Sequence, residues 1–125
     1  MLAVGDRSLG MNPDVVHGND WRSLTPGDIG SWRPTQQVTV VVPCYNGQEP
    51  LALTFAALAK QTYPMDLLEV VIADDGSDPP ITVPPGAPFE ARVVAQKRAG
   101  FGLARARNTG AAAATGSILV FLDCD

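Results

Sequence analysis

Residues 38 to 47 read Val-Thr-Val-Val-Val-Pro-Cys-Tyr-Asn-Gly, a strand pattern followed by a cluster of turn residues. Its first five residues are an uninterrupted β-branched run, which is typical of a strand buried on both faces in a parallel sheet. Pro43 cannot donate to a neighbouring strand, so we expect the strand to end there. The turn residues that follow predict that the chain then leaves the sheet.

The sequence downstream alternates between strand and helix patterns. We expect a helix from about 48 to 61, with Leu51, Phe55 and Leu58 on one face, and a second strand over 68 to 73. Five prolines and one glycine between residues 79 and 88 predict a loop rather than a helix. A short strand over 91 to 95, a helix over 103 to 114 and a buried strand over 118 to 122 complete an α/β domain with a mostly parallel sheet and flanking helices.

Composition limits the classes of function. The 125 residues carry a net charge of −4, which argues against a nucleic-acid partner, since such a partner requires a basic face. Cys44 and Cys124 lack metal-finger spacing and are interpreted as buried thiols, which fits a reducing, cytoplasmic location. No membrane span or signal peptide is visible, so we expect membrane association, at the inner face, only through segments further downstream.

Polar and acidic residues follow three of the predicted strands. They occupy residues 43 to 47, 74 to 78 and 123 to 125. Ligands of open parallel sheets bind outside the carboxyl ends of the strands, so these loops are expected to share one site. Asp123 and Asp125 present two carboxylates directly after an apolar strand, an arrangement that suits Mg²⁺ or Mn²⁺ with substrate phosphates as further ligands.

Several motifs, in this order, resemble the nucleotide-binding half of glycosyltransferase family 2 enzymes, which have the Rossmann-like GT-A fold. They are Val-Val-Val-Pro-Cys-Tyr-Asn (40 to 46), Gln-Thr-Tyr-Pro (61 to 64), Val-Val-Ile-Ala-Asp-Asp-Gly-Ser-Asp (70 to 78), Ala-Arg-Asn-Thr-Gly (106 to 110) and Ile-Leu-Val-Phe-Leu-Asp-Cys-Asp (118 to 125). The resemblance covers residues 38 to 125. It implies a partial GT-A domain, truncated after the DxD strand. Residues 1 to 37 lie outside it, and their Gly, Pro, Asp, Asn and Ser without sustained periodicity predict an extended or irregular lead-in.

The resemblance also implies roles for the residues that match it. Pro43 and Tyr45 would belong to the nucleotide-sugar site, with Tyr45 against the nucleotide base. Asp75 would accept from a base N–H, usually of uracil. Asp74 would belong to the same site or would instead orient the loop. Asp123 would contact the ribose, and Asp125, with Asp123, would bind the Mn²⁺ or Mg²⁺ that bridges the donor diphosphate.

Two arginines of the last helix are candidates for the diphosphate. One of Arg105 and Arg107 would face it while the other is solvated, and the sequence does not distinguish them. The implied reaction is transfer of a sugar from a nucleoside-diphosphate sugar, UDP-linked by default, to an unknown hydroxyl acceptor on a saccharide, lipid or protein, with inversion. The general base is expected beyond Asp125, so this chain would hold only the donor and metal part.

Two other interpretations remain. The chain could be a nucleotide-sugar-binding module or inactive fragment without turnover. It could also be a sugar nucleotidyltransferase, but that chemistry requires a glycine-rich, basic loop after the first strand, where this chain has Pro-Cys-Tyr-Asn-Gly-Gln-Glu.

Overall fold

A computed structural model describes residues 30 to 124 of the chain. Most of the predicted lead-in, residues 1 to 29, and the predicted metal ligand Asp125 lie outside the described residues. Within them, four strands form one sheet in which all pairings are parallel, in the order β3, β2, β1, β4. The strands are β1 (Val38–Cys44), β2 (Leu68–Asp74), β3 (Glu90–Ala95) and β4 (Ile118–Phe121).

Within residues 30 to 124, the helices α1 (Gln48–Leu58) and α2 (Leu103–Ala113) flank the sheet, and a 3₁₀ turn, Met65–Leu67, precedes β2. The predicted α/β class, with a parallel sheet and flanking helices, is therefore confirmed. The proline-rich segment 79 to 88 contains no helix, as expected. No helix within residues 30 to 124 combines the length and the apolar character that crossing a bilayer demands.

The core lies on both faces of the central strands. On one face, α1 packs Leu51 and Phe55 onto the even-numbered residues of β1, and the ring of Phe55 meets that of Phe89 at 5.3 Å between centroids. On the other face, α2 crosses β1 and β2 so closely that Gly110 lies against Val41. The strand buried on both faces, predicted from its β-branched run, is thus confirmed for β1.

The expected end of β1 at Pro43 was wrong, because the strand continues to Cys44. In a parallel strand, alternate residues direct their hydrogen bonds to opposite neighbours. The carbonyl of Cys44 accepts from the N–H of Asp75 on the β2 side, and the carbonyl of Val41 accepts from Leu122 on the β4 side. The nitrogen of Pro43 therefore faces β4. The pairing of β4 with β1 ends at Val41, so the N–H that Pro43 lacks removes no hydrogen bond between these strands.

The first helix is also shorter than predicted. It ends at Leu58, and the next two turns tighten, with the N–H of Lys60 on the carbonyl of Ala57 and the N–H of Gln61 on that of Leu58. Such i→i+3 bonds are common where a helix is about to terminate. The helix therefore ends at Leu58 rather than near residue 61.

The prediction that the last strand is buried was wrong. The five apolar side chains from Ile118 to Leu122 are between 37% and 49% exposed. Among the strands that the structure describes, β4 stands at the edge of the sheet and has one strand neighbour, β1, instead of two. An apolar run predicts burial only where a second layer or strand covers it.

The buried carboxylate of Glu69 links elements at the amino ends of the strands, at the edge of the sheet opposite the polar loops. Glu69 accepts hydrogen bonds from Thr39 Oγ1 and the Thr115 N–H and pairs with Arg92 at 2.9 Å. Arg92 also donates to the carbonyl of Ala113, at the end of α2. Burial alone would raise the pKa of Glu69, but the hydrogen bonds outweigh it and lower the pKa from 4.5 to about 2.

Candidate functional site

The loops after β1 and β2 are joined by one asparagine. The N–H of Asn46 donates to Ser77 Oγ at 2.8 Å, and its side-chain Oδ1 accepts from the N–H of Asp78 at 2.9 Å. Asn46 has φ = 51°, a left-handed conformation that asparagine tolerates better than most residues. Sequence reasoning assigned Asn46 no role, although an asparagine in a tight turn after a strand is a signal for such a contact.

Asp74 holds the shape of the β2 loop. It is buried, with Oδ1 accepting from the N–H of Ser77 at 2.9 Å and Oδ2 from the N–H of Ile81 at 3.1 Å. Both oxygens therefore serve the backbone of their own loop. Of the two roles expected for Asp74, these contacts support orientation of the loop; a contact with a nucleotide stays a prediction.

Asp75 is the buried carboxylate that faces the site. It is 4% exposed, and its Oδ1 accepts from Gln96 Nε2 at 2.7 Å. Gln96 is held in turn by Thr109 Oγ1 at 2.7 Å, so a side chain of α2 fixes the donor that orients Asp75. Oδ2 of Asp75 pairs with Arg98 at 3.0 Å. This carboxylate is thus supported from β2, from the segment after β3 and from α2.

The aromatic ring of Tyr45 is partly exposed beside Asp75. The side chain is 47% exposed, and Cζ of Arg98 lies 3.4 Å from the ring centroid. Arg98 therefore contacts both predicted base-binding residues at once, Tyr45 with its plane and Asp75 with an N–H. No motif or spacing pointed to Arg98, because the residue follows β3 in a segment that only the fold brings to Tyr45.

A pocket of about 110 Å³ opens beside these groups and is mostly apolar. The residues that line it are Pro43, Cys44, Tyr45, Asp75, Arg98, Phe101, Leu103 and Ala106. Three residues assigned to the site from sequence, Pro43, Tyr45 and Asp75, are thus brought together. A flat, largely apolar wall with one buried carboxylate suits a planar group that carries N–H donors on one edge.

The two arginines of α2 differ in position. Arg107 pairs with Asp123 at 2.9 Å, whereas Arg105 donates to the carbonyl of Lys97 at 3.4 Å. Within the described part of the chain, the buried Nε of Arg107 has no hydrogen-bond partner. Arg107 is therefore the arginine that the fold brings to the loop after β4.

Cys124 turns away from the side that Asp123 faces. Its Sγ lies 3.4 Å from that of Cys44, and both sulfurs stand close to Gly47, where an added Cβ would approach them to 3.0 and 3.1 Å. Burial, together with the neighbouring Cys124 thiol, raises the pKa of Cys44 from 9.0 to about 12. The thiol pair anchors the loop after β4 to β1, while Asp123 meets Arg107.

Asp123 could take part in binding a hard cation. Its side chain is 57% exposed, and its pairing with Arg107 uses Oδ1. No cluster of three or more Cys, His, Asp or Glu side chains within residues 30 to 124 is arranged to hold a metal ion. Mg²⁺ and Mn²⁺ are usually bound through one or two carboxylates and substrate phosphates. An exposed carboxylate therefore fits a cation that arrives with a diphosphate rather than one held in a protein cage.

The fold and the site define a class, the α/β proteins that bind ligands at the carboxyl edge of a parallel sheet. Within it, the sequence model described as glycosyl transferase family 2 matches residues 39 to 125, and the chain belongs to that family. The family assignment made from the motifs is therefore confirmed.

Individual relatives agree with this assignment. A validoxylamine A glucosyltransferase from Streptomyces hygroscopicus subsp. jinggangensis is 39% identical over 90 residues, which are 69% of this chain and 21% of that protein. A chondroitin synthase from Escherichia coli is 38% identical over 92 residues, 70% of this chain and 13% of the relative. The chain thus spans about a fifth or less of the length of these relatives.

A solved structure has the same fold. A mannosyltransferase from Pyrobaculum calidifontis, in complex with GDP-Man and Mn²⁺, superposes with a TM-score of 0.60 at 32% sequence identity. The similarity covers 81% of this chain and 31% of the mannosyltransferase.

Proposed function

We propose that the chain binds a nucleoside-diphosphate sugar, UDP-linked in the first instance, as the donor of a glycosyl transfer. One observation carries the proposal: Asp75, a buried carboxylate, is directed at the space above the Tyr45 ring. The planar guanidinium of Arg98 stacks on the ring in that space and donates a hydrogen bond to Asp75. Uracil is planar and offers N3–H on one edge. Its ring would lie on Tyr45, and N3–H would donate to Asp75.

Asp123 would lie towards the ribose and diphosphate. The mannosyltransferase of similar fold was solved with GDP-Man and Mn²⁺, which supports a nucleotide-sugar donor and a divalent cation for this chain as well. Asp123 and Asp125 would hold Mn²⁺ or Mg²⁺ on the diphosphate, although Asp125 lies outside the described residues. When bound, the cation would stabilise the negative charge that grows on the departing diphosphate.

Arg107 would add a second positive group near the phosphates. It lies on α2, and its guanidinium pairs with Asp123, the residue proposed to face the diphosphate. Arg105, held on the Lys97 carbonyl, is assigned no contact with the donor. In the proposed reaction, a hydroxyl of an unknown acceptor displaces the nucleoside diphosphate at the anomeric carbon, with inversion. A fixed charge that meets the leaving group contributes typically about 2.7 to 4 kcal/mol to such a step.

Calorimetric titration with UDP, with and without Mn²⁺, tests the proposal. We expect the wild-type chain to bind UDP, and Asp75→Asn to weaken binding of both UDP and uridine by about tenfold, about 1.4 kcal/mol. Asp66→Asn is the matched control, since Asp66 is exposed at the opposite edge of the sheet. Equal affinities for all three proteins would exclude Asp75 as the base-recognising group.

The same assay can test recognition of the base and recognition of the diphosphate separately. Asp123→Asn should weaken the Mn²⁺-dependent binding of UDP and leave the binding of uridine unchanged, since uridine carries no phosphate. A loss of uridine binding in this variant would contradict the division of the site into a base part and a diphosphate part.

A further inference from the structure

Arg98 lies where the proposed function puts the nucleotide base. Its guanidinium carbon is 3.4 Å from the centroid of the Tyr45 ring, and its NH1 donates to Asp75 Oδ2 at 3.0 Å. A guanidinium is flat and carries N–H donors along its edge, so it meets the same two partners that a uracil ring would meet. The two groups cannot occupy this position together.

The contact with Arg98 also stabilises the buried negative charge of Asp75 in the ligand-free protein. The Asp75 side chain is 6% exposed, and a carboxylate so buried is costly unless it is paired. The side chain of Arg98 is 32% exposed, so the guanidinium reaches the carboxylate from the surface and has solvent beside it. It can therefore leave the ring without disturbing the core.

The rest of the Asp75 site does not depend on Arg98. Gln96 holds Oδ1 at 2.7 Å and is itself held by Thr109. Gly102 closes the other side of the carboxylate. Removal of Arg98 therefore leaves the carboxylate in position, with one oxygen open towards the Tyr45 ring.

We propose that Arg98 is an intramolecular stand-in for the base, which fills the site in the free protein and has to swing into solvent before a nucleotide binds. The inference rests on the proposed function and adds a residue that sets the affinity of that site. The base must displace both a cation–π contact and a partly exposed ion pair, so the free site binds nucleosides less tightly than its geometry alone would allow.

Uridine is the probe, because it presents the base without phosphates that a displaced arginine could contact. Nuclear magnetic resonance titration of the ¹⁵N-labelled chain measures its binding even at millimolar affinity. Arg98→Ala should bind uridine about tenfold more tightly than wild type, an effect of the size expected when a cation–π contact and an ion pair no longer compete. Lys60→Ala, which removes an exposed positive charge after α1, should match wild type.

The same spectra follow the arginine directly. In the free protein, the ring current of Tyr45 should shift the Nε–H resonance of Arg98, and saturation with uridine should return it to the value of a solvated arginine. A resonance that stays shifted in the saturated complex would overturn the inference, as would equal or weaker uridine binding by Arg98→Ala.

The outcomes separate the two proposals. If the wild-type chain binds uridine and Arg98→Ala binds it no more tightly, the stand-in role fails and the proposed function stands. If neither protein binds uridine at any concentration tested, both proposals fail.

Discussion

Gly102 lies directly against the carboxylate of Asp75. A Cβ built on Gly102 would stand 2.6 Å from Oδ1 and 2.8 Å from Oδ2, distances that side chains essentially never tolerate. The glycine that opens α2 is therefore required by the buried carboxylate beside it.

Gly102→Ala should accordingly disable the site while the fold persists. The added methyl group would push Asp75 away from Gln96, and we expect UDP affinity to fall by about tenfold or more, about 1.4 kcal/mol or more. Ala104→Ser, which adds an atom at an exposed position of the same helix, serves as the control. Undiminished UDP binding by Gly102→Ala, measured by calorimetry, would show that the Asp75 geometry is dispensable.

Gly110→Ala tests the packing of α2 on the sheet. In an exposed helix interior, replacing glycine by alanine stabilises by about 1 kcal/mol. Here the new Cβ would overlap Cγ1 of Val41, and overpacking of this kind typically costs about 1 to 3 kcal/mol. We expect the overlap to dominate, so that urea denaturation shows a loss of unfolding free energy. A gain in stability would mean that α2 can move away from β1.

Glu69 should make the domain sensitive to acid. Its pKa is lowered from 4.5 to about 2 in the folded protein, so its stabilising effect is present above pH 4.5 and is lost as the pH falls towards 2. The linked change in unfolding free energy is about 3 kcal/mol. Urea denaturation between pH 5 and pH 2 should show this decline in wild type and a flatter profile in Glu69→Gln.

The control for this measurement is Glu49→Gln, which neutralises an exposed carboxylate in the first turn of α1. Its profile should follow that of the wild type. If Glu69→Gln retained the full acid dependence, other carboxylates would have to account for it.

Cys44 should resist alkylation while the protein is folded. Its pKa is raised to about 12 by burial and by the Cys124 thiol, and the thiolate is the form that reacts. At pH 8 we expect mass spectrometry to show iodoacetamide on Cys44 only after urea unfolds the chain. The raised pKa also means that the stability contributed by the neutral thiol is intact below about pH 9 and is lost as the pH rises towards 12.

Much of the fold could be predicted because hydrophobic pattern and turn chemistry agree along the chain. The β-branched run of β1, the proline-rich segment after β2 and the glycines before α2 each favour one local structure. The wrong predictions concern residues whose structure depends on the neighbouring strand. Pro43 stays in β1 because its nitrogen faces β4 at a position where the two strands no longer pair. The side chains of β4 are exposed because it is an edge strand.

The candidate site could be predicted in part. Pro43, Tyr45 and Asp75 do line one pocket, since residues at the carboxyl ends of parallel strands meet at one edge. Arg98 and Gln96 escaped prediction because their importance lies in contacts with residues more than 20 positions away. The choice between Arg105 and Arg107 likewise required the direction of each side chain, which spacing along a helix does not determine.

We infer that Asp75 and Tyr45 recognise the base of a nucleotide donor. A crystal structure of the chain with UDP and Mn²⁺ tests it most directly, through the distance from uracil N3 to the nearer carboxylate oxygen of Asp75. We expect a hydrogen bond of about 2.7 to 3.2 Å, with the uracil ring stacked on Tyr45. A uracil bound elsewhere, with Asp75 still paired to Arg98, would contradict it.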